Sequence, residues 1–477
     1  MKYKSSLNFI WGLLTTLLIL GVLALTLWGN SNNLNPRFLF IDEQITFYPV
    51  IKILNPSGLD EWLWLISDGG DYRYGRLLWN AIALFALIPA KLLGEAGQII
   101  ASREAGVACL LLSYLLLTYT FIQKPAIRFI ALLTLISLPY SSYYMSMPKP
   151  EPIMLLCAAL FLYFYKRNDL SLGRPYWIFL GMAFGAKISF LLPLLALLGA
   201  SLIIQINSKK MLTISSEFCS TIIYLTLGFS ISNPFFIPAF IAIGFTLLAV
   251  LLFSKLTAIP FAKVLMMVIA GATFLLFFTP IREYALGNLL DITGLRHALG
   301  EWTRATFLKI NDGGPSSSQN FVSWFSYLCT VVSPSAPIAG GMYLFGVTLY
   351  MTSQFRRLAH IRPNKVELPV IGLILFIIGA VLLLSPMLSV KNRLWGMYFL
   401  PGLIFFQLGF FSALDSQLGL SNQLKKRSDA LCLGMLGLVS INTIAIWLPH
   451  FIADLIFLAT KNINIYQSPL PPHLIGI

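Results

Sequence analysis

Apolar runs long enough to cross a membrane recur from one end of this 477-residue chain to the other. LNFIWGLLTTLLILGVLALTLW (7–28) and LPVIGLILFIIGAVLLLSPM (368–387) are two of them. About 20 apolar residues in helical form bridge the roughly 30 Å hydrocarbon core of a bilayer. No water is present there to bond backbone N–H and C=O groups, so a crossing segment is a helix or part of a closed barrel. Barrel strands alternate polar and apolar residues; these runs are continuously apolar, so the chain is read as an all-α polytopic membrane protein. Charged residues make up 11% of it, under half of the roughly 25% found in soluble domains.

Thirteen spans are expected, near 7–28, 101–122, 127–145, 152–166, 176–188, 189–206, 217–233, 236–254, 262–280, 337–354, 368–387, 394–414 and 429–448. The run LLWNAIALFALIPAKLLG (77–94) is also apolar, and whether it crosses decides the topology of everything after it. Charge chooses. If 77–94 lies at the interface, 18 of the 33 Lys and Arg but only five of the 19 acids fall on the side of the N-terminus, a net +13 there against +1 opposite. Short cytoplasmic loops are enriched in Lys and Arg, so this arrangement puts the N-terminus in the cytoplasm. The basic start MKYKSSLNF and the absence of a small-residue cleavage site after 28 make the first run an uncleaved helix. The +14 net charge is then a property of cytoplasmic loops, and no nucleic-acid partner is expected. Residues 1–477 form a single membrane domain, with two long extracytoplasmic loops at 29–100, including juxtamembrane helices, and 281–336.

Fourteen of the acids fall on the extracytoplasmic side in this topology. Asp42 and Glu43, in FLFIDEQITFYP, open either a juxtamembrane helix, where acids suit the N-terminal dipole, or a reacting site. Glu151 lies in MPKPEPIML between two prolines that restrict its backbone, with Lys149 as an ion-pair partner in the plainer reading. Lys187 is a lone cation in the apolar stretch 176–206, too long for one span and short for two. Two short spans meeting at the outer face put Lys187 at their turn, to snorkel or to meet an anion. Gly181 and Gly185 form GxxxG, a spacing for close helix packing. Arg76, Arg103, Lys391 and Arg393 stand near the same outer face. Arg393 there suits either a lipid headgroup or a lipid-linked phosphate, since guanidinium forks match phosphate oxygens.

Other chemistries find little support. The five cysteines are far apart and lack metal-ligand spacing, which argues against a disulfide framework or zinc site. His297 and Glu301 are spaced i, i+4, a structural pair more than a metal site. No GxxxxGK[ST] phosphate cradle occurs. No cofactor is called for, and a divalent metal stays open.

The ordered series resembles the GT-C superfamily of integral-membrane glycosyltransferases, which contains protein O-mannosyltransferases and lipid A aminoarabinose transferases. The series runs through FIDEQITFY, an amphipathic segment ending in LLG, SREAGVACLLLSYLL, KPEPIML, GMAFGAKISF, a span ending in NPFF, and NRLWGMYFLP. The resemblance implies a GT-C-like fold in a bacterial inner membrane. It implies a polyprenyl-phosphate-linked sugar donor, an inverting transfer on the extracytoplasmic face, and a glycolipid, glycan or protein acceptor. Asp42 carries over as the catalytic base, Glu43 as its companion and Glu151 as the second-loop acid, where the family commonly has Asp. Arg76, Arg103, Lys149, Lys187, Lys391 and Arg393 are the cations for the lipid phosphate. A multispan transporter or lipid flippase is the alternative; it calls for ionisable groups deep in the spans.

Overall fold

In the computed structural model, the structure describes residues 2–32, 49–67, 76–168, 171–187, 190–206, 211–232, 321–333, 336–359, 368–388, 399–417 and 425–460. Asp42, Glu43, His297, Glu301, Lys391, Arg393 and the expected spans 236–254 and 262–280 lie outside the described residues.

All regular structure among the described residues is helical. The helices are α1 (Lys2–Asn32), α2 (Leu59–Ser67), α3 (Leu77–Phe121), α4 (Pro125–Ser137), α5 (Ser141–Ser146), α6 (Pro150–Arg167), α7 (Trp177–Ala186), α8 (Leu191–Ile206) and α9 (Met211–Ser232). After residue 320 come α10 (Phe321–Val332), α11 (Pro337–Ala359), α12 (Leu368–Leu388), α13 (Leu400–Gln417), α14 (Lys425–Asn442), a π turn at Thr443–Trp447, and α15 (Leu448–Thr460).

Among the described residues, three stretches are long and apolar enough to cross a membrane: Asn8–Asn32, Leu77–Phe121 and Cys432–Phe457. A fourth arises if Phe321–Val332 and Pro337–Gln354, bent by 98° to one another, are one broken span. Pro125–Ser137, Trp177–Ala186, Pro193–Leu202, Glu217–Phe229 and Ile371–Leu384 are shorter apolar helices. These helices fit an integral membrane protein.

Three element boundaries differ from the sequence expectation. First, α3 has 45 residues and would measure about 68 Å if straight, over twice a bilayer core. It breaks at Gly94 (φ 61°, ψ −138°), a left-handed conformation open to glycine. Gly97 then backs onto the Pro89 carbonyl with no room for a Cβ. The break separates the 77–93 limb from a second limb that starts at 95, not 101. Second, the expected span 127–145 ends at Ser137; Tyr140, at φ 69°, turns the chain into the short α5. Third, the last helix does not stop at 448, before Pro449. The wider π turn removes the clash between the proline ring and the carbonyl four residues back, and the helix runs on to Thr460.

The chain divides into two compact units. One comprises Met1–Ile51, Ile82–Ala159 and Gly313–Ile477; the other comprises Lys52–Ala81 and Leu160–Asp312. In the first unit, α1 packs against α4, α5 and α15. Glycines bring α12 and α13 together: Gly379 sits on the Phe406 backbone and Gly409 on that of Phe376. One end of this unit is fixed by Asp415, whose carboxylate accepts the backbone N–H of Gln123 (2.8 Å) and Lys124 (3.1 Å). Lys124 Nζ returns a bond to the Asp415 carbonyl at 2.6 Å. This joins the end of α13 to the start of α4. In the second unit, α7 and α9 are in close contact through Gly181, Gly185 and Gly228, the packing that GxxxG spacing favours.

Candidate functional site

The first unit carries a layer of buried polar groups at the end opposite Asp415. Asn30, near the end of α1, is its hinge. Its amide donates to Glu104 Oε1 at 2.7 Å and to the Met145 carbonyl at 3.3 Å. Its own backbone carbonyl accepts Arg103 Nη1 at 3.2 Å. One asparagine thus holds α1, α3 and α5 together and fixes the Arg103–Glu104 pair. Arg103 is fully buried. A turn further along α3, a Cβ on Gly106 would meet the Tyr144 and Met147 carbonyls and Pro152 at ordinary contact distance, so α3 runs close beside the segment that leads into α6.

That segment carries two residues singled out in the sequence. Glu151 occupies the first turn of α6 and is 4% exposed. The N-terminal dipole of a helix favours a carboxylate at that place. Lys149, half-buried, has its ammonium 5.8 Å from the Tyr143 ring centroid. The layer therefore gathers Glu151, Lys149 and Arg103 at one end of one unit.

The second unit holds the other two described cations. Arg76 is 1% exposed, and its guanidinium lies 3.9 Å over the Trp79 ring. Its backbone N–H donates to the Ser232 carbonyl at 2.6 Å. The Ser232 hydroxyl donates to the Met182 carbonyl at 2.8 Å. Ser232 also abuts Gly185, two residues before Lys187. Lys187 is half-buried, caps the end of α7 and marks the break before α8. Arg76 and Lys187 thus share Ser232 as a neighbourhood, at one end of the α7–α9 pair.

Several groups of the polar layer escaped the sequence reading. Asn30 follows the first apolar run with no charge to mark it, and Glu104 stands beside Arg103 at the start of a span. Asp454 is 4% exposed on α15 and accepts the Ser142 hydroxyl at 2.7 Å. With His450 and Tyr140 it lines a cavity of about 20 Å³. The available signal was an isolated acid in the apolar run HFIADLIFLA, four residues after a histidine. It lies beyond Pro449, in the stretch by which the helix exceeds the expected span.

All five cysteines are free thiols. Among the described residues no group of three or more His, Cys, Asp or Glu side chains could hold a metal ion. The fold and the layer define a helical protein with membrane-length apolar helices and a polar, partly ionisable end. No family model matches the chain, and no curated protein does.

Proposed function

We propose that the protein is a GT-C-like glycosyltransferase with about 13 spans, moving a sugar from a polyprenyl-phosphate donor to an acceptor hydroxyl. The transfer takes place on the extracytoplasmic face of a bacterial inner membrane and inverts the anomeric centre. The observation that carries this reading is Glu151. It is a carboxylate held almost wholly out of solvent at a helix start, on a rim that also holds Lys149 and Arg103. Buried ionisable groups at membrane level are a functional signal by default.

The chemistry requires little of the protein. Phosphate on a lipid is a good leaving group, and a cation beside it stabilises the departing charge. Arg76, Lys187, Lys391 and Arg393 are assigned to that duty, with Arg103 and Lys149 beside Glu151. A single carboxylate, Asp42, takes the proton of the acceptor hydroxyl as that oxygen attacks C1, opposite the leaving phosphate. Glu43 and Glu151 orient the acceptor and shape the field around it.

The test is turnover of a radiolabelled polyprenyl-phosphate-sugar panel by the purified full chain, with Asp42→Asn alongside. Removing a general base typically costs about 10²–10⁴-fold, and the variant is expected to lose transfer at unchanged expression. Normal turnover by Asp42→Asn refutes the base assignment. One observation favours the transporter reading: Asp454 is an acid buried within a membrane-length helix. Substrate movement across vesicles without chemical change would establish that reading instead.

A further inference from the structure

The core where α11, α13 and α14 meet, within the first unit, lies apart from the residues assigned to sugar transfer. Contacts between α11 and the last helix set a register. The Tyr350 hydroxyl meets Cys432 Sγ at 3.5 Å, Gly346 faces Leu438, and the Tyr343 ring lies 5.3 Å from the Trp447 ring. These pairs run in opposite order along the two stretches, so the stretches are antiparallel. Asn442, between Leu438 and Trp447, therefore stands between the levels of Gly346 and Tyr343. Gln407 of α13 joins that level, because its Oε1 accepts the Tyr343 hydroxyl at 2.8 Å. Asn442 is also near the midpoint of the membrane-length stretch Cys432–Phe457, far from either membrane surface. It immediately precedes the π turn, and single π turns inside helices recur at functional sites.

Two amide donors at this level go unmet. Gln407 is fully buried and Asn442 is 6% exposed. Among the described residues, Gln407 Nε2 and Asn442 Nδ2 have no acceptor. Turning the Gln407 amide over changes nothing, since its NH₂ group would then face Tyr343 and its carbonyl would go unmet instead. A buried N–H with no acceptor forfeits the bond it makes to water, and hydrocarbon offers no replacement. Neighbouring polar groups already have partners: Thr134 and Thr443 pair at 3.0 Å, and Trp447 Nε1 bonds the Val332 carbonyl at 2.6 Å. Both amides therefore call for an oxygen lone pair. An anion would supply one, but none of these groups carries a charge to balance it. A lipid ester carbonyl cannot reach Gln407, which has no exposed surface. We infer that Gln407 and Asn442 form a buried water-binding site in the middle of the first unit. A buried water typically makes two to four hydrogen bonds. The two amides donate to it, and the Tyr343 hydroxyl oxygen, bonded to Gln407 as a donor, is open to accept from it. The site is independent of the glycosyl-transfer reading.

The experiment is radiolytic footprinting of the full chain in detergent, read by mass spectrometry. Ionising radiation splits water where it is bound, and the hydroxyl radical formed there labels the nearest aromatic ring. Tyr343, 2% exposed, is expected to be hydroxylated several-fold faster than Tyr114, which is as deeply buried in the same unit and has Ser141 as its hydroxyl partner. Gln407→Leu and Asn442→Leu should each bring the Tyr343 rate down to that of Tyr114. Should Gln407→Leu fail to fold, Asn442→Leu, which leaves the Tyr343 bond in place, decides. Tyr343 labelled no faster than Tyr114 in the wild type overturns the site. So does a fast Tyr343 rate that Asn442→Leu leaves unchanged, because local opening to bulk water then accounts for the label.

Discussion

Gly228→Ala tests the packing that brings the second unit's cations together. Gly228 lies on α9 where it crosses α7. A Cβ built there falls against the Ile178 carbonyl oxygen, 2.8 Å from that carbonyl carbon and 2.9 Å from the Met182 nitrogen. All three are backbone atoms, so no side chain can rotate out of the way. Ordinary contact between such atoms begins near 3.4 Å, so α9 must withdraw from α7 by a sizeable part of an ångström. Overpacking of a well-packed site costs about 1–3 kcal/mol, and rigid backbone neighbours place this case at the upper end. Alanine's better helix propensity returns only about 1 kcal/mol, leaving a net loss of roughly 2 kcal/mol. The same shift draws Ser232 away from the Met182 carbonyl, and with it Arg76 away from the turn at Lys187. Gly199→Ala is the matched control, because its Cβ meets nothing within 4 Å. Circular-dichroism melts of both variants in detergent give the comparison. Gly228→Ala is expected to melt below the wild type and Gly199→Ala at or above it. A Gly228→Ala protein as stable as the wild type would refute the close crossing and the shared Ser232 neighbourhood together.

Two further outcomes follow from single contacts. Glu61 accepts the Ser57 hydroxyl at 2.5 Å and the Ser57 N–H at 2.7 Å, and these bonds hold its carboxyl below the ordinary value near 4.5. A lowered carboxyl pKa adds stability above the unfolded value and loses it as pH falls through the folded one. Amides of α2 should therefore exchange faster, relative to intrinsic rates, as pH falls through and below the ordinary carboxyl range; Glu61→Gln should abolish that dependence. Trp447→Phe strands the buried Val332 carbonyl and leaves a void beside a side chain 1% exposed. It should cost about 1–3 kcal/mol in thermal unfolding, and an unchanged melt would refute the role given to that bond.

Much of the fold was legible because bilayer physics leaves few choices. Runs of apolar residues had to be helices. The lone Lys187 in a run of awkward length located the break between α7 and α8, and Gly181 and Gly185 announced a close crossing. The misses came where local chemistry overrides hydropathy. A hydropathy reading sees 127–145 as one run, since nothing in it weighs Tyr140's positive φ against the contacts that enforce it. It ends a span at Pro449 because it cannot foresee a π turn that relieves the proline. Of the polar layer, Glu151, Lys149 and Arg103 were legible as charges in an uncharged chain, whereas Glu104 and Asp454 were not singled out. Asn30 was not, since an asparagine near a helix end carries no mark of what lies 74 residues onward.

The polar layer of the first unit has a structural duty that must be set aside before function is read into it. Every interruption of a helix in lipid frees backbone groups that water cannot satisfy, at several kcal/mol each. The first unit interrupts its helices at Gly94, at 138–140, at 147–149 and at the π turn. Neutral side chains answer much of that need: Asn30 bonds the Met145 carbonyl, Trp447 that of Val332, and Ser141 Oγ the Leu135 carbonyl at 3.2 Å. Thr134 and Thr443 pair across at 3.0 Å. Serine, threonine and asparagine do this without a net charge to desolvate. A carboxylate does the same work at far greater cost, because its ionised form must also be neutralised. Glu104, Glu151 and Asp454 are the carboxyl groups of the layer, and Glu151 sits at a helix start, where the N-terminal dipole favours it. Of these, Glu151 is the one assigned to the acceptor side of sugar transfer. The structural and functional duties separate experimentally, since Glu151→Gln keeps the side chain's size and hydrogen-bonding oxygen and should lower turnover at an unchanged melting midpoint; an equal loss of both would leave Glu151 a structural group only.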